Sequence, residues 1–170
     1  MIFKNLVIKS LFLLALVIGF MSCEKEAELQ SKTYNYSFNT GQAAAAYAYS
    51  GSHPNTIKAE LKLDEMADGT TKVSVTLTGA LDSTYMVHAH DMATASSTPN
   101  NTPYLETPNG NVYATPIMVS GGTGTSSQIS TKSFEDLTTT YDGFFVVHDP
   151  TQAINTADPT TYVVLGTFAR

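Results

Sequence analysis

The stretch Tyr85-Met86-Val87-His88-Ala89-His90-Asp91 sets two of the chain's four histidines two residues apart inside an apolar–polar alternation. Side chains of a β-strand alternate between faces. His88 and His90 therefore share one face with Met86, while Tyr85, Val87 and Ala89 take the other. Two imidazoles on one strand face make half of a metal site. A third histidine stands near the end of the β-prone run Gly143-Phe144-Phe145-Val146-Val147-His148-Asp149-Pro150. If both runs are strands of one fold, His88, His90 and His148 can share an ion.

Moving outward, the alternation continues. Ile57, Ala59, Leu61 and Leu63 alternate with Lys58, Glu60, Lys62 and Asp64, the clearest half-buried strand in the sequence. Ala67-Asp68-Gly69 supplies a turn, and Val73, Val75 and Leu77 complete a hairpin. Gly79-Ala80-Leu81-Asp82-Ser83 then turns the chain into the histidine strand. Upstream, Tyr34, Tyr36 and Phe38 mark another strand. The alanines at 43–46 are too few to nucleate a helix and read as a strand edge or turn. Downstream, strands are expected at 112–119 and 127–134 around Gly121-Gly122-Thr123-Gly124, with Pro116 placing the first at an edge or bulge. The last two are expected at 144–148 and 162–169, joined by a loop at 149–161. Residues 92–110, with Pro99, Pro103 and Pro108, show no periodicity; loops of that length are usually functional or disordered. No amphipathic helix or repeat is legible. The expectation is an all-β fold of about eight strands, an antiparallel sandwich or barrel with Greek-key connections.

The first residues serve another purpose. Lys4 and Lys9 precede an apolar run at 11–21, too short for a spanning helix and typical of a secretory signal. The run leads into Phe20-Met21-Ser22-Cys23, which resembles a bacterial lipoprotein signal, with Phe20 where such signals usually carry Leu. Residues 1–22 are then the signal peptide, and Cys23 is the lipidated residue that joins the protein to a membrane. An ordinary signal followed by a free thiol is the alternative. Glu24-Lys25-Glu26-Ala27-Glu28 opens an acidic linker over 23–31 and resembles the surface-export tag of some bacterial lipoproteins. The domain proper spans 32–170. This implies an exported lipoprotein of the cell envelope or outer membrane, periplasmic or surface-facing.

The full chain carries a net charge of −6, and without Lys4 and Lys9 it holds 7 basic against 15 acidic side chains, a balance of −8. Arg170 is the only arginine. Such a surface excludes nucleic acid as a partner, because nucleic-acid binding needs basic groups to displace counterions. With Cys23 as the single cysteine, no intrachain disulfide is possible.

Three neutral imidazoles suit copper or zinc, and on an open strand face they leave a position for a small-molecule ligand. The competing interpretation is structural. A same-face histidine pair arises easily by chance, and a histidine at a strand end is often a satisfied core or surface residue. His53, in Gly51-Ser52-His53-Pro54-Asn55, reads as a surface turn residue. Met86 and Met92 could add thioether ligands suited to Cu(I), or simply pack. Asp91 and Asp149 each follow a proposed ligand and could orient its ring, or be acidic turn residues. No Ser-His-Asp arrangement, phosphate loop or paired-carboxylate signal is present.

Several segments together resemble the copper-zinc superoxide dismutase family. Gly79-Ala80-Leu81 and Val87-His88-Ala89-His90-Asp91 are similar to that family's Gly-Leu turn and its Gly-Phe-His-Val-His-Glu strand. Phe145-Val146-Val147-His148-Asp149-Pro150 resembles its later Val-Val-His segment, and Val164-Leu165-Gly166-Thr167-Phe168-Ala169 its closing strand. The resemblance implies an eight-stranded Greek-key barrel with copper held by His88, His90 and His148. It also marks departures. The family's zinc subsite and bridging histidine lie on the loop after the first pair, and residues 92–110 contain no histidine, so no zinc site of that type is expected. The family's disulfide cannot form. Its guiding arginine is missing; Tyr162 stands near that place and Lys132 is the nearest cation in sequence. Superoxide dismutation is therefore expected to be slow or absent. The chordin-type (CHRD) domain is a second resemblance, on the early His-x-His and a late histidine strand. It implies a binding or structural module, but its Gly-Glu-Ile-Arg-Gly closing pattern is not visible. The expectations are thus a copper-dependent dismutase-like enzyme, a non-enzymatic copper carrier, or a structural module.

Overall fold

The computed structural model describes residues 28–168. The expected signal peptide and the lipidation at Cys23 lie outside them, as does most of the linker. Residues 28–30 are exposed and irregular before the first strand begins. Strands follow in chain order as β1 (Ser31–Ser37), β2 (Lys58–Glu65), β3 (Thr71–Thr78), β4 (Thr84–Tyr85), β5 (Val87–Asp91), β6 (Ile117–Met118), β7 (Thr123–Ser130), β8 (Gly143–His148) and β9 (Tyr162–Phe168). All pairings are antiparallel. One sheet has the order β1-β2-β3-β7, another β5-β8-β9, and β4 and β6 form a short ribbon.

The hairpin of β2 and β3 follows from its alternation. Leu61 pairs with Val75 and Leu63 with Val73, all fully buried, while Lys58, Glu60, Lys62 and Lys72 face outward. These apolar side chains meet Val87 and Ala89 of β5, Phe145 and Val147 of β8, and Val163, Val164 and Phe168 of β9 in one cluster. Each of the valine, leucine and phenylalanine side chains contributes roughly 1.5–3 kcal/mol when removed from water. The two larger sheets thus enclose the core as a sandwich. β1 and β9 touch along their free edges, through the Tyr36 hydroxyl on the Thr167 carbonyl (3.3 Å), but form no ladder. The barrel alternative is therefore corrected: past the end of β1 the Asn39 N–H donates to the Val163 carbonyl (2.9 Å), but no ladder joins β1 to β9 and the barrel is not closed. Gly166 makes room for the contact between Tyr36 and β9, since a Cβ there would lie 2.5 Å from the Tyr36 ring, which is stacked on Phe145.

Between β3 and β8 the structure departs from the pattern-based boundaries. Only Ile117–Met118 of the expected 112–119 strand is extended, just after Pro116. β7 begins at Thr123, earlier than the 127 expected, because the turn is confined to Gly121 and Gly122, both at positive φ. Gly124 already lies in the strand, where any side chain would collide with the Met118 carbonyl. Phe134, expected to end a strand, instead opens a wide helical turn whose second part is Asp136–Thr140 and which buries Leu137. The alanine-rich segment contains a short turn at Ala45–Tyr47.

Candidate metal centre

β5 and β8 are hydrogen-bonded neighbours in the register Val87↔Val147, His88↔Val146 and His90↔Phe144. The His148 N–H donates to the Met86 carbonyl at 3.0 Å, so His148 lies diagonally across the ladder from His88. Alternation puts Tyr85, Val87, Ala89, Phe145 and Val147 into the main core. It puts His88, His90, Phe144, Val146 and His148 on the opposite side, where Tyr104, Phe144, Val146, Tyr162 and Leu165 form a second apolar cluster. Both faces of β8 are thus covered, which is why its sequence is apolar without a break from Gly143 to Val147.

The structure brings the three proposed ligands together. The His88 and His148 rings are 4.8 Å apart between centroids, and those of His88 and His90 5.2 Å apart. Their exposures are 5%, 0% and 2% for His88, His90 and His148. A register shift in the β8–β9 ladder pairs Val147 with Val164 but His148 with Tyr162, leaving Val163 as the extra residue. This bulge re-aims the chain. Val163 and Val164 both enter the main core, and Tyr162 turns to the histidine side, its ring 4.6 Å from that of His148.

The long loop after β5 covers the site. It runs back along the free edge of β5 through Leu105 N to Asp91 O (2.8 Å), Asn109 N to Ala89 O (2.8 Å) and Ala89 N to Tyr113 O (2.9 Å). It buries Tyr104 with its ring 4.9 Å from His90. It also sets the Leu105 carbonyl 2.7 Å from His90 Nδ1. A carbonyl only accepts, so Nδ1 carries the hydrogen and Nε2 keeps a bare lone pair. That Nε2 lies 3.3 Å from His88 Nδ1. Two nitrogens each bound to one tetrahedral ion at about 2.0–2.1 Å stand roughly 3.3 Å apart, so the spacing suits a shared ion as well as an imidazole–imidazole hydrogen bond. His148 Nε2 is buried with no hydrogen-bond partner. Such an orphaned atom costs about 1–3 kcal/mol.

Burial and the neighbouring imidazoles hold His88 down to about 3. Burial likewise lowers His148 to about 4, with His90 adding to the effect. Burial also lowers His90, partly opposed by its bond to the Leu105 carbonyl. All three rings are neutral near pH 7, the state in which imidazole binds metal. A bare lone pair, an orphaned nitrogen and three neutral rings fit copper or zinc in donor chemistry. The set is not closed as it stands: among the described residues, no group of three or more His, Cys, Asp and Glu side chains is arranged to hold an ion. The His88–His90 pair has the required spacing, and an imidazole must turn to bring in His148.

The other expected residues fall elsewhere. The Asp149 carboxylate accepts from the Tyr49 hydroxyl, Thr151 and Gln152, which ties the β8 exit to the 39–53 segment. Asp91 accepts from Asn109 Nδ2 at 2.6 Å. The group that holds the His90 ring is the Leu105 carbonyl. Met86 meets His148 through its backbone, and Met92 is 41% exposed and bridges to Tyr104. His53 is corrected from surface to core. It is buried, with Nδ1 donating to the Pro54 carbonyl and Nε2 accepting from the Tyr85 hydroxyl, both at 2.8 Å, which leaves neither nitrogen for a metal. Lys132 lies over the Tyr141 ring. Tyr104 and Leu105 were not legible as site residues, since a loop without periodicity gives no sign of which residues fold inward.

Comparison with known proteins finds no matching family model, no matching curated sequence and no matching solved structure.

Proposed function

We propose that this protein is an exported, lipid-anchored copper protein with a Greek-key sandwich of the superoxide dismutase-like type. In it His88, His90 and His148 hold one copper ion and no zinc. The observation that carries this reading is the donor set: His90 Nε2 bared by the Leu105 carbonyl, 3.3 Å from His88 Nδ1, beside the unpartnered His148 Nε2. Copper would supply one-electron chemistry by alternating between two oxidation states. The chain's own residues do the rest. The β5–β8 ladder fixes the histidine backbones, Leu105 fixes a tautomer, and Tyr104, Phe144, Val146, Tyr162 and Leu165 keep water away. Burial of all three rings favours an ion that stays in place over one that is passed on. With Tyr162 where the resembled family keeps its guiding arginine, an anionic substrate gains no electrostatic steering, so superoxide turnover is slow.

Metal titration of the chain without its leader tests the reading. Copper should bind with sub-micromolar affinity and be lost in both His88→Ala and His148→Ala. Equal binding by all three proteins would remove the site and leave a structural or CHRD-type module. A superoxide assay on the copper-loaded protein then separates slow dismutation from none.

A further inference from the structure

We infer that Tyr104 and Tyr162 form an oxidative cross-linking site, in which copper and hydrogen peroxide join the two rings through a carbon–carbon bond. The inference rests on copper being held by His88, His90 and His148. It begins from two hydroxyls to which the proposed metal chemistry gives no part, since the rings alone suffice to keep water away. Both tyrosines are fully buried, yet each has its ring against a proposed ligand: Tyr162 at 4.6 Å from His148 and Tyr104 at 4.9 Å from His90. Their own centroids are 6.1 Å apart at 56°, and the Tyr104 hydroxyl donates to that of Tyr162 at 3.4 Å. Tyr162 arrives there only because of the β8–β9 bulge, and Tyr104 only because the loop folds back over β5.

Phenols are the most readily oxidised groups in the second cluster, which otherwise holds Phe144, Val146 and Leu165 with Tyr47 at its border. Each phenol can give up one electron and one proton. Hydrogen peroxide takes two of each: its O–O bond breaks, two waters form, and two phenoxyl radicals remain. Copper ends in the oxidation state in which it began. The radicals combine by a bond between the carbons ortho to each oxygen. The two displaced ring hydrogens move to the oxygens, restoring both phenols. The product is the chain less two hydrogen atoms. Peroxide is neutral and needs no guiding cation, and it is the reduced product of superoxide dismutation. The new bond would fasten the covering loop to β9 and close the site covalently.

The test uses the full-length chain with one equivalent of copper, its bound metal measured on the same sample, followed by equimolar hydrogen peroxide. Expected are dityrosine fluorescence, loss of two hydrogens from the intact mass, and a cross-linked peptide containing Tyr104 and Tyr162. The cross-link should be lost entirely without copper, in Tyr104→Phe and in Tyr162→Phe, while both variants retain copper as the wild type does. Retained copper with no cross-link, or with oxidation directed to the histidines or to other tyrosines, overturns the inference and leaves the metal reading intact. Failure of the wild type to retain copper overturns both, whereas loss of copper from a Phe variant alone overturns only the inference.

Discussion

Acid should weaken the metal-free domain well above the pH at which its carboxylates titrate. His88, His90 and His148 are buried as neutral imidazoles, and their pKa values lie below the ordinary 6.5, at about 3 for His88 and about 4 for His148. The unfolded chain therefore binds more protons than the folded one between these values and 6.5, and stability must fall as pH falls through that window. Stability is complete above about pH 6.5 and the loss ends only near the folded-state values. From about pH 7.5 to pH 5, each such ring forfeits on the order of 2 kcal/mol, or about 4 kcal/mol for His88 and His148 together as an upper bound, since neighbouring rings titrate jointly. For a domain of this size that lowers the Tm by on the order of 10 °C. Asp64, Asp68, Asp82 and Asp149 are held below the usual carboxylate range, so their contribution is lost only as pH falls below that ordinary range, under the histidine onset. Thermal unfolding of the metal-free protein across this interval measures the effect. A Tm that stays level from pH 7.5 to 5 would refute the neutral, buried state of the rings.

Two substitutions away from the histidines test the scaffold. Tyr85→Phe deletes the hydroxyl that donates to His53 Nε2 and accepts the Leu81 N–H, both at 2.8 Å, and should cost about 1–3 kcal/mol in urea unfolding while leaving copper affinity unchanged. Gly166→Ala places a Cβ 2.5 Å from the Tyr36 ring and forces that ring off Phe145; about 1–3 kcal/mol should be lost, and an unchanged urea midpoint would show that the seam between β1 and β9 is slack.

The alternating stretches read well because each faces a single core. The β2–β3 hairpin, the division of β5 into a histidine face and a core face, and the strand ending at His148 all follow from side-chain period two. Boundaries failed where another part of the chain decides them. β7 starts early because the turn needs only Gly121 and Gly122, and 112–116 leave the strand pattern where the chain turns toward β4 and runs beside β5. His53 misled because Gly51, Pro54 and Asn55 mark a turn locally, while the buried Tyr85 hydroxyl that binds its ring comes from far downstream. That the three histidines come to one side of the β5–β8 ladder was legible from spacing and strand type. Their surroundings were not, since Leu105 orients His90 through a backbone carbonyl that any residue would carry, and the bulge that turns Tyr162 to the histidine side has no signature in Thr160-Thr161-Tyr162-Val163-Val164.

The placement of the three imidazoles on two adjacent strands has a consequence for how the molecule is assembled. His88 and His90 are local to each other, but His148 joins them only when β8 docks on β5, after everything from Met92 to Asp142 has been made and folded aside. Closing so large a loop is a late and slow event. A nascent or truncated chain ending before Gly143 can therefore offer a cation only the first two nitrogens. On the proposed reading, an ion held there would fasten a nearly finished structure and could not template the opening steps of folding.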